Sequence, residues 1–174
     1  MKFKDIKRKS AQLQFKILNN TSYNHLEFGL VQEIVKKQKK VCDGRLKRYP
    51  YIFKYEYCIF PGQSNTGKGD LIFTDKRENF MVVEVKYLDL DQTGKTAKNR
   101  RTKKRKHIKT QTKRYMKELS TSYPDAKSIK GIAYTNESYK VYMLNKETGM
   151  IKKIYDSIWK IENEVLKPFI NDIT

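Results

Sequence analysis

The chain has 174 residues, 38% of them hydrophobic, with 12 Tyr and 8 Phe; this supplies the core of one ordinary domain and excludes a disordered chain. Lys and Arg number 38 against 19 Asp and Glu, and the resulting net charge of +19 names a polyanionic partner without naming an activity. Cys42 and Cys58, with only two histidines beside them, are too few to ligate zinc or an iron–sulfur cluster, so reduced thiols are expected.

The N-terminal stretch MKFKDIKRKSAQLQFK lacks the apolar core of a signal peptide, and no run reaches membrane-spanning length, so we expect an intracellular protein with no membrane partner. Its spacing predicts a first helix over 3–17. NNTSYN then supplies capping residues for a clearer helix over about 22–39, whose apolar positions are Leu26, Phe28, Leu30, Val31, Ile34 and Val35. Turning about 100° per residue places Glu27 in the middle of that stripe, whereas Glu33 falls on the solvent side. A carboxylate there requires a metal or a cationic partner.

YPYIFKYEYCIF, 49–60, alternates like a strand. In FPGQSNTGKGDLIFTD, 60–75, Gly62, Gly67 and Lys68 match the opening of a P-loop. That reading fails on two counts: Gly69 stands where a Ser or Thr would reach magnesium, and the following DLIFTD is a strand pattern instead of a helix start. DLIFTD and NFMVVEVKYL are predicted to form a hairpin closed by Asp75 to Asn79. Pairing Thr74 with Phe80 sets Ile72 opposite Val82 and Asp70 opposite Glu84, with Lys86 on the same face. Two facing carboxylates call for a cation, and oxygen ligands without histidine suit Mg²⁺ or Mn²⁺. The alternative is a surface cluster in which Lys86 bridges the two acids.

A long helix over about 97–120 follows. Between Lys95 and Lys117, twelve of 23 residues are Lys or Arg, a density suited to phosphate contacts. Ile108, Gln111, Thr112, Tyr115 and Leu119 share its other face, so Gln111 and Tyr115 should project toward the sheet. SIKGIAYTN and YKVYMLNK are predicted strands, and MIKKIYDSIWKIENEVL a closing helix. The expected order is ααβββαββα, a mixed sheet flanked by helices, of α/β or mixed α+β class.

Glu27 on a leading helix, Asp70 opening a strand, Glu84-Val85-Lys86 on the next and Gln111-x-x-x-Tyr115 on the following helix resemble the PD-(D/E)XK nuclease superfamily, RecB-type. The resemblance covers about residues 22–145 and implies a restriction-endonuclease-like core within a single nuclease domain, 1–174. The N-terminal helix, 1–20, and the closing helix, 150–168, would be additions. It further implies Mg²⁺- or Mn²⁺-dependent hydrolysis of phosphodiester bonds, most often in DNA. Asp70, Glu84, the Val85 carbonyl and Glu27 would be metal ligands, Lys86 would be catalytic, and Gln111 and Tyr115 would position substrate or ligands. Arg100, Arg101, Lys103, Lys104, Arg105, Lys106, Lys109, Lys113 and Arg114 would contact the nucleic-acid backbone. Gly69 stands in place of the family's Pro, and the four cysteines of cluster-bearing members are missing, so no iron–sulfur cluster is expected. RRTKKRK also matches a nuclear-import pattern in a eukaryotic host. The competing function is a basic nucleic-acid-binding module without catalysis.

Overall fold

The computed structural model describes residues 3–20, 26–57 and 69–157. Two helices lead, α1 (Phe3–Leu18) and α2 (Leu26–Lys36), followed by a short helical segment, Val41–Arg48. Then come β1 (Tyr51–Tyr57), β2 (Gly69–Thr74), β3 (Asn79–Lys86), the long α3 (Gly94–Ser122), β4 (Ser128–Thr135), β5 (Tyr139–Leu144) and β6 (Ile151–Asp156). The six strands form one mixed sheet in sequential order. All neighbours are antiparallel except β3 and β4, which are parallel and joined through α3.

The continuous apolar run of β3 follows from cover on both faces. Met81, Val83 and Val85 join Phe28, Val31 and Ile34 of α2 in one apolar layer. Phe80 and Val82 join Ile108, Tyr115, Met116 and Leu119 of α3 in the other. The turn between β2 and β3 forms because Asp75 Oδ1 accepts hydrogen bonds from the N–H groups of Arg77 and Asn79 at 2.7 and 3.0 Å. A bulge in β1 between Ile52 and Lys54 turns Phe53 onto the α3 side, where its ring lies 5.2 Å from Phe80 and 5.4 Å from Tyr123.

The closing helix needs correction. Ile151–Asp156 is strand β6, paired with β5, while residues 158–168 of that prediction lie outside the described residues. Ile151, Ile154 and Tyr155 have helical spacing, but the unpaired edge of β5 offers a full set of backbone partners, and tertiary pairing overrides the local pattern. The turn Asn145–Met150 delivers the chain there, with Asn145 Oδ1 accepting from the N–H groups of Glu147 and Thr148 and Gly149 at a φ of 68°. The observed order is therefore ααβββαβββ. The capping residues Thr21–Asn24, and Cys58, Gly62, Gly67 and Lys68, also lie outside the described residues.

Where α3 crosses β4, Gly131 allows the close approach: a Cβ there would lie 2.5 Å from Met116 Sδ and 2.7 Å from Thr112 Cγ2. Exposed Gly29 in α2 has nothing within 4 Å of that position. The same substitution should thus have opposite signs. Gly131→Ala is expected to destabilise by about 1–3 kcal/mol through overpacking, and Gly29→Ala to stabilise by about 0.5–1 kcal/mol through helix propensity; urea unfolding of the two variants checks both.

Candidate metal and nucleic-acid site

The β2–β3 ladder has the predicted register, with Thr74 opposite Phe80, Ile72 opposite Val82 and Leu71 opposite Val83. Beyond Leu71, side chains replace the backbone pairing. The N–H of Val85 donates to Asp70 Oδ2 at 2.6 Å, and the N–H of Asp70 donates to Glu84 Oε1 at 3.3 Å. Each carboxylate is thus held by the neighbouring strand. The N–H and C=O of a strand residue face the same neighbour, so the Val85 carbonyl shares the edge that its N–H presents to Asp70.

Glu84 is only 2% exposed. Burial, reinforced by the charge of Asp70, pushes its carboxyl well above the usual range. Burial likewise raises the Asp70 carboxyl from 3.8 to about 7, with Glu27 and Glu56 adding to the rise and the Val85 N–H and Lys86 opposing it. Two like charges therefore sit together with less compensation than they need.

Lys86 and Glu27 meet at this site, Nζ to Oε1 at 2.9 Å, and the Tyr87 N–H lies 3.4 Å from Glu27 Oε2. Their side chains are 27% and 24% exposed. Glu27, expected as a third acidic metal ligand, is in this structure the ion-pair partner of Lys86. Leu26 is 64% exposed, so the apolar stripe of α2 centres on Phe28, Val31, Ile34 and Val35, and Glu27 falls at its edge. Among the described residues no group of three or more His, Cys, Asp or Glu side chains is arranged to hold a metal. The oxygen donors at hand are Asp70, Glu84 and the Val85 carbonyl, a set that fits a hard divalent cation completing its shell with water.

Tyr115 is buried, and its hydroxyl accepts a hydrogen bond from Arg114 Nη2 at 3.0 Å. Burial and then the charge of Glu84 raise its pKa, which puts the phenol within electrostatic reach of the carboxylates. Gln111, one turn earlier, is half-buried. Glu56 escaped the sequence reading. The register of β1 on β2, Tyr55 with Leu71 and Tyr57 with Gly69, sets it across from Asp70. Its alternation with Tyr55 and Tyr57 was the available signal. The same row runs on from Glu84 through Ala133 to Lys140 and Asp156, crossing all six strands.

The basic residues of α3 divide into two sets. Arg105 makes a bidentate pair with Glu137, at 2.8 Å for each bond, and Arg101 Nη1 donates to the carbonyls of Asp89 and Gln92 at 3.0 and 2.6 Å. These two fasten α3 to the loops beside it, so their charge is partly engaged within the fold. Lys104 Nζ donates to the Tyr87 carbonyl at 3.1 Å. Arg100, Lys103, Lys106, Lys113 and Arg114 are exposed, with Lys113 Nζ 5.3 Å from the Tyr142 ring centre and Arg114 Nε 3.5 Å from Glu118. Lys109 is half-buried, its pKa lowered by burial and by Lys140.

No family model, curated protein or solved structure matches the chain. No helix among the described residues is long and apolar enough to cross a membrane.

Asp70 has a folded pKa raised from 3.8 to about 7, so between those values the native protein keeps a proton that the unfolded chain has released. Its contribution is complete below pH 3.8 and is lost as pH rises through 7. Asp70→Asn should therefore gain stability relative to the parent at pH 8 and much less at pH 4, measured by paired thermal melts in EDTA. Mg²⁺ should raise the melting temperature of the parent at pH 8 and leave Asp70→Asn little changed.

Proposed function

We propose that the chain is a Mg²⁺- or Mn²⁺-dependent nuclease of the PD-(D/E)XK type that hydrolyses phosphodiester bonds in nucleic acid, with DNA as its principal substrate. The observation that carries this reading is the pair of half-buried Asp70 and buried Glu84, each fixed by the other's strand and both pushed toward protonation, with Lys86 beside them. The order α2-β1-β2-β3-α3-β4 and the parallel pairing of β3 with β4 support a restriction-endonuclease-like core.

In this reading Asp70, Glu84 and the Val85 carbonyl hold the cation. Once bound, the metal supplies Lewis acidity, making water a better nucleophile and offsetting charge on the phosphoryl oxygens. Lys86, kept in place by Glu27, orients the attacking water and stabilises the negative charge that develops at phosphorus. Water oxygen bonds to phosphorus as one P–O bond to sugar breaks, and the departing oxygen takes up a proton. Tyr115, with Arg114 on its hydroxyl, lies within the field of Glu84, and half-buried Gln111, one turn earlier on α3, would help to position substrate. Arg100, Lys103 and Lys106 offer exposed charge for the phosphate backbone.

The second reading, a basic nucleic-acid-binding protein without catalysis, draws on the Lys86–Glu27 ion pair, which already engages the ammonium. Labelled single-stranded, duplex, branched and RNA substrates, incubated with Mg²⁺, Mn²⁺ or EDTA, separate the two. Cleavage should require the metal and fall by about a hundredfold or more in Lys86→Ala and Glu84→Gln, while binding by both variants stays near that of the parent. Cleavage that survives both substitutions would sink the nuclease reading; binding without cleavage in any metal would favour the second.

Salt dependence tests the two sets of basic residues. Replacing Arg100, Lys103 and Lys106 together with Ala should reduce the log–log salt slope of duplex binding by about 2–3. Arg105→Gln should leave that slope nearly unchanged and lower thermal stability instead.

A further inference from the structure

On the sheet face opposite α3, a cavity of about 410 Å³ opens between the segment Val41–Arg48 and the strands. Buried Met81 and Val141 form its floor, Ile154, 41% exposed, borders it, and Arg45, Arg48 and Lys130 complete the charged part of the lining. Met81 belongs to the same apolar layer as Val83 and Val85, so the cavity and Glu84 lie on opposite faces of β3. It is separate from the carboxylate pair.

Charge in the cavity is one-sided. Of the lining residues Asp43 alone is acidic, and its Oδ2 already accepts hydrogen bonds from the hydroxyls of Tyr139 and Tyr155. The Arg45 guanidinium lies 4.0 Å from the Tyr155 ring centre, with its Nε buried and without a hydrogen-bond partner among the described residues. That Nε is closed to solvent, so it reports on the guanidinium's surroundings, and an anion entering the cavity would meet the charge that Arg45, Arg48 and Lys130 bring to its lining. The backbone that presents Asp43 and Arg45 has three consecutive left-handed residues, Cys42, Asp43 and Gly44, with φ of 53°, 54° and 73°. Two of them are not glycine, a costly conformation held by the packing around it.

We infer that this cavity is an anion site for a phosphate ester of nucleotide size. Guanidinium groups match phosphate oxygens in a fixed fork, an ammonium adds a point charge, and an apolar floor suits a planar base. A free mononucleotide and the phosphorylated end of a nucleic-acid strand share this chemistry. The site does not depend on the nuclease reading.

The test uses ¹H–¹⁵N spectra of the full chain in EDTA, in which the arginine Nε–H signals are resolved. The probes are deoxyadenosine monophosphate, deoxyadenosine without phosphate, and a short oligonucleotide with or without a 5′-phosphate. The Arg45 Nε–H signal should shift saturably with a phosphorylated probe and not with the nucleoside. Saturation by the mononucleotide or only by the 5′-phosphorylated strand identifies the source, and either supports the site. Arg48→Gln and Lys130→Gln should each raise Kd by about tenfold, as expected for loss of one charge-assisted bond. Lys117→Gln on α3 and Asp70→Asn should leave Kd unchanged. A shift that never saturates, equal Kd in parent and both lining variants, or changes confined to α3 would overturn the inference. Unchanged spectral dispersion in the Arg48 and Lys130 variants separates lost binding from lost fold.

Discussion

Two carboxylates held side by side, Glu84 buried and Asp70 half-buried, are a costly arrangement, and most of what surrounds them reduces that cost. Asp70 takes the Val85 N–H and Glu84 takes the Asp70 N–H, so the strands replace their own ladder bonds with bonds to the acids. Lys86 and Arg114 contribute positive charge near Glu84, and Glu27 keeps the Lys86 side chain at the site. The remaining deficit pushes both carboxyls toward protonation. A sheet that only had to be stable would place apolar side chains at these positions.

The same constraint explains the form of α3. A helix with so many cations cannot rest on the sheet through propensity alone. It packs through Ile108, Thr112, Tyr115, Met116 and Leu119, and Gly131 in β4 lets it come close. Part of its charge is spent internally, Arg105 on Glu137 and Arg101 on two loop carbonyls. These contacts fix the helix beside the strand end that carries Lys86. The exposed remainder faces solvent from a rigid support.

Much of this was legible in the chain. The register of β2 on β3 followed from one turn, because period-two alternation leaves no freedom once Thr74 faces Phe80. Tyr115 was placed on the sheet side of α3 by helical spacing alone. Four features were not legible. β6 depended on an open edge of β5, a partner that local periodicity does not contain. Glu27 was reached by the correct helix, but its partner lies 59 positions away in the chain, and only the folded sheet shows that Lys86 bends toward it. Arg105 and Arg101 read as solvated charge because Glu137 and the loop carbonyls that hold them are likewise remote in sequence. Glu56 alternates with Tyr55 and Tyr57, but its place across from Asp70 depends on the pairing of β1 with β2, which the alternation alone does not contain.

The row Glu56, Asp70, Glu84, Ala133, Lys140, Asp156 crosses the sheet from edge to edge, with its acids at one end and an ion pair at the other. From Glu84 to Asp156 its spacing is set by the backbone ladder, about 4.8 Å per strand, whereas between Asp70 and Glu84 the carboxylates themselves make the strand-to-strand bonds. Substitution at Ala133 or Lys140 can therefore change the chemistry without moving the neighbours, whereas a slip of one residue would turn the whole row to the other face. The sheet acts as a ruler, and the distance from the Asp70–Glu84 pair to the Lys140–Asp156 pair is a property of the ladder, open to chemical variation but closed to adjustment.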